Sequence, residues 1–170
     1  IQIPAGRRNQ VREELPSKIT DQEFFVVDES IMTLHGHESQ ANDNAPKGWH
    51  LKATHLKEAW TITKGDPNVV VAIIDDGIDV NHKMFSGRFY KAYNVFTQNR
   101  ALSPGQGHGT HVAGLAVGSA DFFNEGAAGV APNCKIMPVQ VFDNGMCTFS
   151  SLASGIMYAI HNGADVVNIS

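Results

Sequence analysis

Residues 69–74 (VVVAII) are six apolar positions in succession, all but Ala72 β-branched, set between Gly65 and Gly77. A run so short and so continuous predicts a strand buried on both faces, as in a parallel sheet. Asp75-Asp76-Gly77 follows at its carboxyl end, the edge where open α/β sheets place ligands and chemistry. Upstream, Trp49, Leu51, Ala53, Leu56, Ala59 and Trp60 recur at helical spacing until Gly65-Asp66-Pro67-Asn68 stops them. Downstream, residues 135–142 are strand-like except at Pro138, which predicts a bulge or a sheet edge. Ser150 or Ser151 is placed to cap a helix with Leu152, Ile156, Ala159 and Ile160 on one face. Asn162-Gly163 ends that helix, and residues 164–170 begin another strand. Strands alternating with helices give an α/β fold with a mainly parallel sheet.

The first 46 residues break this pattern. They are rich in Arg, Glu, Asn and Gln, with one strand-like run at residues 24–27, and residues 38–46 (ESQANDNAP) read as a linker. The division expected is an N-terminal extension over 1–46 and the domain proper over 47–170. Ile1 with no signal-peptide pattern behind it reads as a processing or truncation boundary. Hydrophobic residues at 42% suffice for a core, and a net charge of −4 gives no electrostatic case for nucleic acid. No apolar run approaches the roughly 18 residues that span a bilayer. Cys134 and Cys147 are too few for a disulfide framework and read as free thiols.

The chemistry centres on Asp75 and His108. Asp79 competes for the acidic role, but the strand fixes the backbone of Asp75 more firmly. His108 follows Pro104-Gly105-Gln106-Gly107 and opens a helix of small residues that includes Val112, Ala113, Gly114, Leu115 and Ala116. A helix N-terminus disfavours a positive imidazole, so His108 rests neutral, the state a general base needs. A buried carboxylate at Asp75 would hold its tautomer and offset the charge once a proton arrives. Asp76 adds a second negative charge nearby, which favours that imidazolium. A metal reading competes, with His108 and His111 on one face and Asp75 or His82 as third ligand. His35-Gly36-His37 reads as a solvated loop.

Residues 107–114 (GHGTHVAG), downstream of residues 73–77 (IIDDG), resemble the subtilisin-like serine proteases, the subtilases, whose motifs read D-[ST]-G and H-G-T-H-V-A-G. Residues 49–65, Gly129-Val130-Ala131-Pro132 and Val166-Val167-Asn168-Ile169-Ser170 are similar to further landmarks of that family. The resemblance implies a three-layer subtilisin-like fold, incomplete here, and a secreted serine endopeptidase with Asp75 and His108 as triad members. It implies Gly145-Met146-Cys147 as an edge that pairs with an extended peptide, and Ser170 beside the cleaved bond. It requires no cofactor for the chemistry. Structural calcium is a family trait, but Met84 stands where relatives carry an acidic ligand, although Asp121, Asn124 and Glu125 could serve another site. The serine and the oxyanion Asn would come from a C-terminal portion beyond Ser170, supplied by a second chain if the protease is nicked, and the fragment alone is expected to be inactive. A pseudoprotease that grips a peptide without cutting, and a metal-dependent hydrolase, are the rival readings.

Overall fold

The computed structural model describes residues 31–33 and 47–170. The strand-like run at 24–27, the linker at 38–46 and the His35-Gly36-His37 loop lie outside the described residues. In chain order the elements are β1 (Ile31–Thr33), α1 (Trp49–Ala53), α2 (Leu56–Ala59), β2 (Val70–Asp75), β3 (Tyr93–Asn94), α3 (His108–Val117), β4 (Lys135–Gln140), β5 (Met146–Thr148), α4 (Phe149–His161) and β6 (Val166–Ile169). Short 3-10 turns occupy Lys83–Phe85 and Ala120–Glu125.

The apolar run becomes β2, buried at all six positions. It lies inside a four-stranded parallel sheet of order β3-β4-β2-β6. Alternate residues serve opposite faces, as a pleated strand requires. Val71 and Ile73 pack with Ala113 and Val117 of α3, whereas Val70, Ala72 and Ile74 pack with Ala159 of α4. The result is three layers, helix on sheet on helix.

The helical pattern from Trp49 to Trp60 is not one helix. It breaks into α1 and α2 at Thr54 and His55, where His55 takes a left-handed φ of 52°. Pro138 also departs from expectation, since β4 is an interior strand paired with β2 from Val70↔Lys135 to Asp75↔Gln140. The backbones of Ile136 and Gln140 bond towards β3, through Tyr90 N–H and Val95 N–H, so the nitrogen of Pro138 between them faces that side too. There the neighbouring segment pairs only at Phe89 and again at β3, and no ladder bond is lost. α4 starts earlier than the serines suggest. Thr148 is its N-cap, accepting from Ser151 N–H at 3.1 Å, while Ser151 Oγ accepts from Thr148 N–H at 3.0 Å. This reciprocal capping box leaves Ser151 as the partner and not the cap.

β1 pairs antiparallel with β5, Ile31↔Thr148, Met32↔Cys147 and Thr33↔Met146. Asn144 and Gly145, both at positive φ (49° and 75°), make the tight two-residue turn that leads into β5.

Candidate active site

Strand parity delivers the acid. Val71 and Ile73 face α3, so Asp75, two residues further, faces it as well. α3 begins at His108, and the two side chains meet there. His108 Nδ1 lies 2.8 Å from Asp75 Oδ1 and 3.0 Å from Oδ2, across 33 residues of chain. The Asp75 side chain is 1% exposed and that of His108 is 18% exposed. With Nδ1 on the acid, Nε2 points away from Asp75 on the far side of the ring.

Burial is the largest influence on Asp75 and pushes its carboxyl above the ordinary 3.8. The hydrogen bond with His108 and the backbone N–H of Asp76, which donates to Oδ1 at 2.7 Å, pull the other way, as does the charge of His108. The charge of Asp76 adds to the rise. A carboxylate held against such desolvation is a strong partner for an imidazolium forming beside it.

Asp79 is not at this position. Its carboxylate accepts from Asn81 N–H at 2.9 Å, and its own N–H donates to Thr110 Oγ1 of α3 at 2.9 Å. Asp76 is placed differently again. It is 3% exposed, its Oδ1 accepts from Gly109 N–H and its Oδ2 from Gln106 N–H, both at 2.7 Å. Gly109 fits because it has no side chain: a Cβ there would stand 2.3 Å from Gly77 O and 2.9 Å from Asp75 Cβ. The approach to α3 is also held by Gln140, whose Nε2 donates to Ser103 Oγ at 2.9 Å and whose Oε1 accepts from Ser103 N–H at 3.0 Å. Neither tether was anticipated from sequence. A polar residue closing each of two apolar strands, Asp76 after β2 and Gln140 in β4, was the available signal.

Gly145 sits in the turn before β5, next to the Gln106 side chain, whose Nε2 would stand 3.0 Å from a Cβ on Gly145. Met146 is 51% exposed, whereas Cys147 is buried at 1%. Ser170 follows β6, one step past the Ile74↔Ile169 pair and so level with Asp75, and its Oγ accepts from Asn168 Nδ2 at 2.9 Å. Both cysteines are buried, and neither forms a disulfide.

His111 is exposed on α3 and borders, with His50, Asp79 and His82, a cleft of about 520 Å³ that neither Asp75 nor His108 lines. Among the described residues no three His, Cys, Asp or Glu side chains are grouped to hold a metal ion. Met84 is 9% exposed and packs in the core with Phe85, while its carbonyl accepts from Arg88. The Arg88 guanidinium also reaches Val117 O, and Pro132 O at 2.6 Å. A buried thioether and a carbonyl already facing a cation do not suit a calcium ion at this place. Asp121, on the second 3-10 turn, accepts from Ser119 Oγ at 2.9 Å. Among the described residues no helix is long and apolar enough to cross a membrane.

Residues 66–170 match the Subtilase family. A thermophilic serine proteinase of Bacillus sp. (strain AK1) is 36% identical over 132 residues, covering 76% of this chain and 33% of its own length. A calcium-dependent protease of Trichormus variabilis is 33% identical over 166 residues, covering 87% of this chain and 24% of its own length. The crystal structure of fervidolysin from Fervidobacterium pennivorans, a keratinolytic enzyme related to subtilisin, aligns with a TM-score of 0.53 at 31% identity. That alignment covers 67% of this chain and 18% of fervidolysin. The chain thus spans a third or less of each of these relatives.

Proposed function

The chain belongs to the subtilase family, and from that premise we propose that it supplies the acid and the imidazole of a serine endopeptidase. Asp75 orients His108 and stabilises its protonated form. His108 Nε2 takes the proton from a serine hydroxyl carried outside these 170 residues as the serine oxygen attacks the peptide carbonyl. His108 then returns that proton to the leaving amine, and water releases the acyl group by the same route in reverse. The observation that carries the reading is the contact of one imidazole nitrogen with both oxygens of Asp75, at 2.8 and 3.0 Å.

Substrate binding is assigned to the edge at Gly145, Met146 and Cys147, with Ser170 beside the scissile bond. β5 supports this by already carrying one extended antiparallel segment, β1. Cys147 would contribute through its backbone, since its side chain is buried. Residues 1–46 are read as an extension or pro-segment remnant, and the enzyme as exported. Calcium is not assigned to the Met84 position.

The test is labelling of the whole protein with a fluorophosphonate probe. The label should land on a serine outside this segment and be lost on His108→Ala. A folded protein that binds peptide but takes no label would be a pseudoprotease instead, and activity abolished by chelators with no label would favour a metal hydrolase.

A further inference from the structure

Resting on the peptidase reading, we propose that Asp76 is a positioning residue of the triad, its buried carboxylate clamping the turn that carries His108 to the end of the strand that carries Asp75. α3 lacks a cap of its own. Its N-cap is Gly107, which has no side chain to cap it, and its first turn holds no acidic residue. The first N–H groups of a helix have no partner within the helix and must find one elsewhere. Asp76 provides it from 33 residues away, Oδ1 taking Gly109 N–H, while Oδ2 takes Gln106 N–H in the loop before the helix. The two anchored amides flank His108 on either side.

Three properties make this clamp stiff. A carboxylate at a helix N-terminus is favoured by the helix dipole, and hydrogen bonds to an ionised acceptor are the stronger kind. At 3% exposure, water does not compete for either bond. Gly109, with no room for a Cβ against Gly77 O, lets the helix end come close enough for both. Bridging two separated amides uses both oxygens of one carboxylate, which the single oxygen of Ser or Thr does not offer. Asp76 therefore acts through the backbone at His108 and touches no substrate.

The experiment compares the whole protease with Asp76→Asn and Asp76→Ser by steady-state kinetics, by amide hydrogen exchange at Gln106 and Gly109, and by the proton NMR resonance of the His108 Nδ1–H. Misplacing a catalytic group by about 1 Å loses on the order of 100-fold in rate, so kcat should fall about 10- to 100-fold with KM within about twofold. Exchange at the two amides should accelerate about tenfold or more relative to the rest of α3, and the Nδ1–H signal should broaden or vanish. An unchanged kcat, a loss carried by KM alone, or unchanged exchange at both amides would overturn the proposal. Should Asp76→Ser fail to fold, the isosteric Asp76→Asn decides. Should the unsubstituted protein cleave no peptide, the peptidase reading fails by itself, and exchange with the imidazole resonance still decides for or against Asp76.

Discussion

Asp75 and Gln140 stand opposite one another in the parallel pairing of β2 with β4, so the acid and the tether of Ser103 end at the same level of the sheet. Gln140 holds Ser103 and Asp75 holds His108, five residues later. The Asp75–His108 pair is thus set by the ends of two adjacent strands, and on the proposed function substitutions there should act on the chemistry first.

In Asp75→Asn the new amide donates to His108 Nδ1 and forces the ring proton to Nε2, the wrong tautomer for accepting one. Steady-state kinetics of the whole protease should show kcat lower by about 10⁴-fold with the fold intact. A loss of only a few-fold would remove Asp75 from its role.

The raised carboxyl of Asp75 has a signature in stability. A group that binds its proton more tightly when folded stabilises the native state fully below its unfolded value of 3.8. That contribution is lost as pH rises through the raised folded value. Thermal melts of Asp75→Asn should therefore gain on the unsubstituted protein between pH 3.8 and neutrality. A difference in melting temperature that is flat with pH would contradict the burial argument.

Gly109→Ala places a methyl 2.3 Å from the backbone oxygen of Gly77, which has no side-chain freedom with which to move away. Overpacking of this kind costs about 1–3 kcal/mol. Denaturant melts should register that loss, with activity falling further because the displaced residue adjoins His108.

Arg88 ties Met84 O, Val117 O and Pro132 O, joining the turn after β2, the end of α3 and the approach to β4. Burial pulls its guanidinium down from the usual value. Arg88→Met should lower stability by about 1–3 kcal/mol for each carbonyl left dry. Arg88→Lys, with a single ammonium in place of the fork, should recover only part of it. Equilibrium unfolding would measure both.

Thr148→Ala removes one half of the capping box of α4 and should cost about 1 kcal/mol, whereas Thr148→Ser should be nearly neutral. Equal losses in both variants would show that packing at Thr148, and not its hydroxyl, fixes the start of the helix.

Much of the framework is local and so was legible in residues 69–76 and 107–118. An unbroken apolar run announces a doubly covered strand, and a helix of small residues announces close packing, as Ala113 at 0% and Gly109 confirm. The parity that sends Asp75 towards α3 also follows from the run, once Val71 and Ile73 are known to face that helix. What escaped the sequence depends on distant neighbours. Whether Pro138 is tolerated depends on a gap beside β3, and the role of Asp76 depends on two amides 30 and 33 residues away. The cap of α4 escaped for a different reason, since Thr148, Ser150 and Ser151 can all cap a helix and only the backbone decides among them.

If the β5 edge receives substrate as proposed, the antiparallel lie of β1 along it would make the molecule its own competitor. One side of a strand satisfies one partner, so a peptide seeking that side of Met146, Cys147 and Thr148 must first evict Ile31, Met32 and Thr33. Its apparent affinity would then be the intrinsic value multiplied by the fraction of molecules whose β1 has already lifted. Among the described residues that pairing is three residues long, so a longer or better-matched guest would have more backbone bonds to offer in exchange.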